Sequence, residues 1–200
     1  MFCGIVESIG LITKIEHLKT NVKISIQSDL SNDAYIDQSI SHNGVCLTVV
    51  EVKNGVHAVI AISETLDRTN LKSLKEGDFV NLERSIKADQ RIDGHFVQGH
   101  TDCTADCIKI ENLDGSWKFT FSLDQQYKNL VVMKGSIAVN GTSLTISDIT
   151  ETSFSVSIIP YTFEHTIFKF LKIGSPVNIE FDILGKYIQK NIKTHISSLS

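Results

Sequence analysis

Proline is nearly missing from this chain, with two residues in 200, and tryptophan occurs once. So few prolines argue against long disordered linkers, because such segments are usually proline-rich and poor in apolar residues. Lysine and arginine are scattered rather than clustered, and the net charge of −4 with a pI near 6.0 leaves no electrostatic footprint for nucleic acid. An oligosaccharide- or nucleic-acid-binding barrel would need exposed aromatics with basic neighbours, and these are lacking too. No apolar run is long enough to cross a bilayer, and Met1-Phe2-Cys3-Gly4 is not followed by a basic stretch and apolar core. Four cysteines, Cys3, Cys46, Cys103 and Cys107, are too few and too irregular for a disulfide framework. The expectation is a cytoplasmic protein with reduced thiols, no membrane contact and no nucleic-acid partner. A glycine-rich phosphate loop, a dinucleotide fingerprint and a recognisable Ser-His-Asp context are also absent, so no cofactor is indicated.

What the chain does have is a repeat. Asn43-Gly44-Val45-Cys46-Leu47-Thr48-Val49 returns 97 positions later as Asn140-Gly141-Thr142-Ser143-Leu144-Thr145-Ile146. The same spacing relates Ser39-Ile40 to Ser136-Ile137, Thr65 to Thr162, Thr69 to Thr166, Gly77 to Gly174 and Val80-Asn81-Leu82-Glu83 to Val177-Asn178-Ile179-Glu180. Near the start the spacing is 95, with Gly4-Ile5-Val6-Glu7 matching Gly99-His100-Thr101-Asp102. A repeat of half the length makes two modules of about 100 residues the natural division.

Each module reads as short strands joined by turns. Residues 2–16 are expected as a strand with a bulge or bend at Gly10, then strands at 22–26, 46–52, 56–63 and 79–82, with a hairpin at Asn54-Gly55 and a short helix within 66–74. The second module is expected to open with a strand from Val97 and to continue with strands at 117–121, 154–159 and 176–181. The pattern predicts an all-β protein of two antiparallel barrels. Leu184, Ile188, Ile192 and Ile196 recur every four residues, which predicts an amphipathic C-terminal helix, packed on the barrels or against other subunits.

Candidate chemistry gathers at strand starts. Cys46 begins a strand where the other module has Ser143; a strand cysteine is commonly a small buried hydrophobe, yet Cys against Ser is also what a duplicated site with divided roles would show. His100 stands where the first module has Ile5, a polar group gained by one half or a surface residue. His95, His100, Cys103 and Cys107 lie close in sequence, but strand parity puts His100 and Cys103 on opposite faces, which argues against one metal site. Asp182 ends a strand, where a solvated carboxylate is the plain reading. The paired threonines Thr48/Thr145, Thr65/Thr162 and Thr69/Thr166 are either good strand formers or hydroxyls that bind the same kind of ligand twice.

These motifs resemble the riboflavin synthase family over essentially the whole chain. The resemblance is carried by Met-Phe-x-Gly-Ile-Val-Glu at the start, Ser39-x-x-His42-Asn43-Gly44-x-Cys46-Leu47-Thr48-Val49 and Glu64-Thr65-Leu66-x-x-Thr69-Asn70-Leu71. Gly94-His95-x-x-x-Gly99-His100, Asn140-Gly141-x-Ser143-Leu144-Thr145 and Val177-Asn178-Ile179-Glu180-x-Asp182 complete it. Cys3 departs from the family's usual Thr, and the Cys103/Cys107 pair has no family role. The resemblance implies two similar six-stranded Greek-key barrels, at 1–88 and 89–184, and a C-terminal helix, at 185–200, that serves a homotrimer. It implies the dismutation of two molecules of 6,7-dimethyl-8-ribityllumazine to riboflavin and 5-amino-6-ribitylamino-uracil, without a cofactor, at a site between the first barrel of one subunit and the second of its neighbour. It also allows an association with lumazine synthase. The runner-up is a protein of the same fold that binds a lumazine or flavin without turning it over.

For catalysis the resemblance points to Ser39, Cys46, His100, Ser143 and Asp182. Cys46 or Ser39, or a water they hold, is expected to add to the acceptor at C7; His100 is expected to take the donor's 7-methyl proton, with Ser143 and Asp182 orienting groups. For substrate binding it points, in the first module, to Gly4, Ile5, Val6, Cys46, Leu47, Thr48, Ile60, Ala61, Ile62, Ser63, Glu64 and Thr65. In the second it points to Gly99, His100, Thr101, Lys134, Ser143, Leu144, Thr145, Ser157, Ile158, Ile159, Pro160, Tyr161 and Thr162.

Overall fold

The computed structural model describes residues 1–199, with side chains described as far as Ile192. The first module contains β1 (Ser8–Leu18), β2 (Asn21–Gln27), β3 (Ser39–His42), β4 (Val45–Lys53), β5 (Val56–Ala61), the short helix α1 (Ser63–Arg68) and β6 (Phe79–Arg84). The second repeats the order with β7 (Cys103–Asn112), β8 (Trp117–Ser122), β9 (Ser136–Val139), β10 (Thr142–Ile149), β11 (Ser153–Ile158), α2 (Pro160–His165) and β12 (Pro176–Phe181). Helix α3 (Ile183–Leu199) follows. Each module closes into a six-stranded antiparallel barrel, in the order β1-β2-β5-β4-β3-β6 and, equivalently, β7-β8-β11-β10-β9-β12. Closure leaves no unpaired edge for a stray strand to join.

The Asn-Gly pairs form the turns expected of them. Asn43-Gly44, Asn54-Gly55 and Asn140-Gly141 all have positive φ at both positions, the conformation that matches hairpin turn to strand twist. Strand alternation then sends one set of side chains inward. The first barrel is filled by aliphatic residues such as Ile12, Ile24, Ile26, Ile40, Val49, Val59 and Leu82; the second has a phenylalanine-rich core of Phe119, Phe121, Phe154, Phe168 and Phe181. Burying each such side chain contributes about 1.5–3 kcal/mol. Cys103 and Cys107 pack on this second core. Burial raises their thiols to about 12 and about 11, so both are apolar packing groups.

The first barrel also buries a polar file where the second has Val139 and Phe154. His42 Nδ1 donates to the Ile40 carbonyl at 3.0 Å, so its Nε2 must accept from His57 Nε2 at 2.8 Å. His57 Nδ1 then accepts from Ser31 Oγ at 2.7 Å. Every group in the file is satisfied with both imidazoles neutral. Burial and their mutual repulsion hold His42 well below the usual histidine range, and burial brings His57 down to about 4.

An asparagine lattice joins the barrels across a pseudo-twofold relation. Asn81 and Asn178 donate from their backbone N–H groups to Asn43 Oδ1 and Asn140 Oδ1, each at 2.8 Å. Their side-chain amides cross to the other barrel, Asn81 to the Asn140 carbonyl at 2.9 Å and Asn178 to the Asn43 carbonyl at 2.8 Å. The Asn-Gly turns abut so closely that a Cβ on Gly44 would stand 2.7 Å from Gly141 N, and one on Gly141 at 2.7 Å from Gly44 N.

Two expected strands are not strands at their starts. Residues 2–7 precede β1 and pair with Val97 only through an isolated bridge at Phe2, and β7 begins at Cys103 rather than Val97. Both opening segments hydrogen-bond to other partners, as shown below. Gly10 is not a bulge either: the register shift falls between Ile12 and Lys14. A Cβ at Gly10 would lie 2.4 Å from Ile26 Cγ2 and 2.7 Å from Leu82 Cδ1, so glycine there makes room for core side chains. Leu184, Ile188 and Ile192 are exposed along α3; Ile196 lies outside the described side chains. Among the described residues no helix is long and apolar enough to cross a membrane.

Candidate active site

The opening segments are held by two buried glutamates in equivalent positions. Glu83, on β6, accepts from Cys3 N at 2.7 Å and Gly4 N at 3.0 Å. Glu180, on β12, accepts from Gln98 N at 2.6 Å, Gly99 N at 2.9 Å and His100 N at 2.8 Å. Burial raises the pKa of both carboxyls, and the converging N–H groups pull the other way. These bonds account for N–H groups that would otherwise be orphaned away from any strand ladder.

With its N–H side anchored to its own module, each segment turns a carbonyl to the other. Gly4 C=O accepts from Ser143 N at 2.7 Å, and Gly99 C=O accepts from Cys46 N at 2.9 Å. Both glycines have positive φ and no room for a side chain: a Cβ would lie 2.6 Å from Ser143 Cβ at Gly4 and 2.6 Å from Cys46 Cβ at Gly99. The grouping expected from sequence is corrected here. Gly4 of the segment carrying Ile5 and Val6 meets Ser143 of the second barrel, and Gly99 of the segment carrying His100 and Thr101 meets Cys46 of the first.

Two equivalent mouths result. At the first, Cys46, Leu47 and Thr48 start β4, and Ser39 pairs with Thr48 across the β3–β4 ladder. The β4–β5 register brings the end of β5, Ile60 and Ala61, to this same end of the barrel, followed by Ile62 and by Ser63, Glu64 and Thr65 of α1. At the second, Ser143, Leu144 and Thr145 start β10, and the end of β11, Ser157 and Ile158, leads through Ile159 into Pro160, Tyr161 and Thr162 of α2. Lys134 is exposed beside it, with positive φ and its N–H donated to the Ile146 carbonyl at 3.1 Å; Asp37 takes that place in the first barrel. Thr65 and Thr162 contribute their carbonyls to a matching pair of bonds, accepting from Thr69 Oγ1 and Thr166 Oγ1 at 2.7 Å each. The hydroxyls of Thr69 and Thr166 therefore cap local structure and are not free for a ligand.

The mouths differ in what stands behind them. Cys46 is half-buried against an apolar cluster of Phe2, Val97 and Ala138. Ser143 Oγ instead lies 2.7 Å from His95 Nδ1. His100 is exposed, and Thr101 Oγ1 is buried without a partner. Asp182 follows β12 and starts α3, where its carboxylate accepts from Leu184 N at 3.0 Å and its charge acts on His95. Of the five candidate catalytic residues, Ser39 and Cys46 lie on the paired strands β3 and β4, His100 follows the Gly99 whose carbonyl meets Cys46 N, and Ser143 is joined through His95 to the charge of Asp182.

Residues 3–85 and 98–182 each match the family described as the lumazine binding domain. Fold and duplicated mouths therefore define a protein built from two lumazine-binding domains. The chain is 39% identical over 191 residues to riboflavin synthase of Bacillus subtilis, covering 95% of this chain and 89% of that protein. It is 38% identical over 201 residues to riboflavin synthase of Schizosaccharomyces pombe, covering 98% and 96%. The crystal structure of LumP complexed with 6,7-dimethyl-8-(1'-D-ribityl) lumazine shares the fold, with a TM-score of 0.83 at 23% identity over 90% of this chain and 99% of that one. The chain belongs to the riboflavin synthase family and is an enzyme of that activity.

Proposed function

We propose that the two mouths each hold one molecule of 6,7-dimethyl-8-ribityllumazine, and that riboflavin arises by transfer of a four-carbon unit from one to the other, with 5-amino-6-ribitylamino-uracil as second product. The observation that carries this is the duplicated docking of Gly4 on Ser143 and Gly99 on Cys46, because a dismutation needs two copies of one substrate in related but unequal surroundings. The lumazine 7-methyl is acidic through delocalisation of its anion, so a single base suffices. His100, next to the Gly99 that meets Cys46, takes that proton. Cys46 or Ser39, or a water between them, adds at C7 of the acceptor, while Ser143 and Asp182 orient the second substrate. Lys134 and the mouth hydroxyls are suited to the ribityl chain. No step consumes an external oxidant or reductant.

Two mouths must face each other for transfer, and we place them on adjacent subunits of a homotrimer, in a cytoplasmic enzyme whose functional units are 1–88, 89–184 and the tail 185–200. The exposed stripe of Leu184, Ile188 and Ile192 supports subunit contact through α3. A monomer in sedimentation at micromolar concentration would remove this part. Purified protein incubated with the lumazine should form riboflavin, followed by absorbance, together with the uracil product; lumazine that is bound but left unconverted would favour a carrier.

A further inference from the structure

Ser143 has a partner to which the roles above give no task. His95 lies in the connection between the barrels, where its own N–H donates to the Cys3 carbonyl at 3.2 Å. The preceding Gly94 is pressed against both: a Cβ there would stand 2.0 Å from Cys3 O and 2.8 Å from Ser143 Cβ. The imidazole is thereby delivered to the Ser143 hydroxyl by a backbone that has no slack, at 2.7 Å from Nδ1 to Oγ. Its other nitrogen, Nε2, is buried without a hydrogen-bond partner among the described residues. Burial lowers the ring's pKa, opposed by the charge of Asp182, so the ring is neutral near pH 7 and carries one N–H. With that N–H on Nε2, Nδ1 is left as the acceptor facing Ser143. Ser143 then donates its hydroxyl proton inward and turns its oxygen lone pairs toward the mouth.

We propose that His95 is a positioning residue of the reaction: with its N–H on Nε2, it fixes the Ser143 hydroxyl so that the oxygen faces the substrate as a hydrogen-bond acceptor. This rests on the placement of Ser143 at a lumazine mouth. The first mouth is built differently, with Cys46 backed by Phe2, Val97 and Ala138. The substrate at the second mouth is thus met by an oriented oxygen acceptor, and the one at the first by a thiol on an apolar bed. Such an acceptor suits an N–H or O–H group of the lumazine, or a water, more than a carbonyl.

The test is a cycle of His95→Ala, Ser143→Ala and the double variant, with His95→Asn as the conservative replacement, since the Asn side-chain oxygen can stand near the Nδ1 position and accept from Ser143. His95→Ala should lower kcat by about 10- to 100-fold, the scale of one lost polar contact to the reacting groups, with KM nearly unchanged. His95→Asn should recover most of that loss, and the double variant should be no worse than Ser143→Ala, because the two residues act as one unit. Urea denaturation and lumazine fluorescence quenching show that each variant is folded and binds. Full kcat in His95→Ala, no recovery in His95→Asn, or losses that multiply in the double variant each overturn the proposal. If Ser143→Ala itself keeps normal kcat and lumazine affinity, the placement of Ser143 has failed and the role of His95 falls with it. An impaired Ser143→Ala beside an unimpaired His95→Ala sinks the present inference alone.

Discussion

At the first mouth Cys46 rests on Phe2, Val97 and Ala138, whereas at the second Ser143 hydrogen-bonds His95 and lies near the charge of Asp182. Around these differences the frame is the same to within tenths of an ångström: one buried glutamate, one glycine carbonyl and one Asn-Gly turn per mouth. Duplication supplied two equivalent seats, and divergence was confined to the groups that look into them. The interiors diverged as well, with a neutral histidine pair in one barrel where the other carries Val139 and Phe154. A frame that must hold two segments in exchange tolerates little change, because its bonds join residues on both modules at once.

The comparison breaks most severely at the glutamates. Glu180→Ala leaves the buried Gly99 N–H and the part-buried Gln98 and His100 N–H groups without their acceptor and releases Gly99 from Cys46, at a cost of about 1–3 kcal/mol by the usual penalty for an unsatisfied buried group. Glu83→Ala should do the same to Gly4 and Ser143. Urea unfolding should show both losses, and equal damage to lumazine binding at both mouths in either variant would contradict the separate anchoring of the two segments.

Activity should fall less when one reacting group is removed. His100→Ala is expected to lower turnover by about 10²-fold or less, because the substrate proton is already acidic. Cys46→Ser should be milder than Cys46→Ala, since a hydroxyl still donates and accepts. Steady-state kinetics on the three variants checks this, and full activity with unchanged lumazine affinity in all of them would remove the roles assigned to the first mouth.

At pH 7 the smallest effect lies in the first barrel's interior, where it emerges only on acidification. His42 and His57 are held below their ordinary pKa in the folded protein, so the unfolded chain binds more protons as pH falls. Stability from this pair is present above about pH 6.5 and is lost towards pH 4, at up to about 1.4 kcal/mol per pH unit for each imidazole. A His42→Val/His57→Phe variant, which copies the second barrel, should have a flatter stability profile over that window. Thermal unfolding at pH 7, 6 and 5 measures it; parallel profiles for both proteins would show that the pair does not titrate on unfolding.

Strand-forming stretches were legible because alternation and turn chemistry are local: β12 falls at the expected residues and every Asn-Gly pair is a turn. The duplication was legible too, and with it the equivalence of Cys46 and Ser143. The exchange of opening segments was not, since nothing within residues 2–7 tells which strand start their carbonyls will meet. Gly10 was misread because a glycine that makes room for Ile26 and Leu82 looks, in sequence, the same as one that bends a strand. Thr69 and Thr166 were retained for capping rather than binding, a use that repetition alone cannot separate. His95 was weighed only as a metal ligand. The signal that could have found it is Gly94 before it, a glycine that lets the backbone press against Cys3 and Ser143.

The account's central claim is that each lumazine seat combines one barrel with the opening segment of the other module. A crystal structure of the protein with bound 6,7-dimethyl-8-ribityllumazine tests it most directly. One lumazine should lie against Gly99 and Cys46 and another against Gly4 and Ser143; a lumazine bound away from both pairings would contradict it.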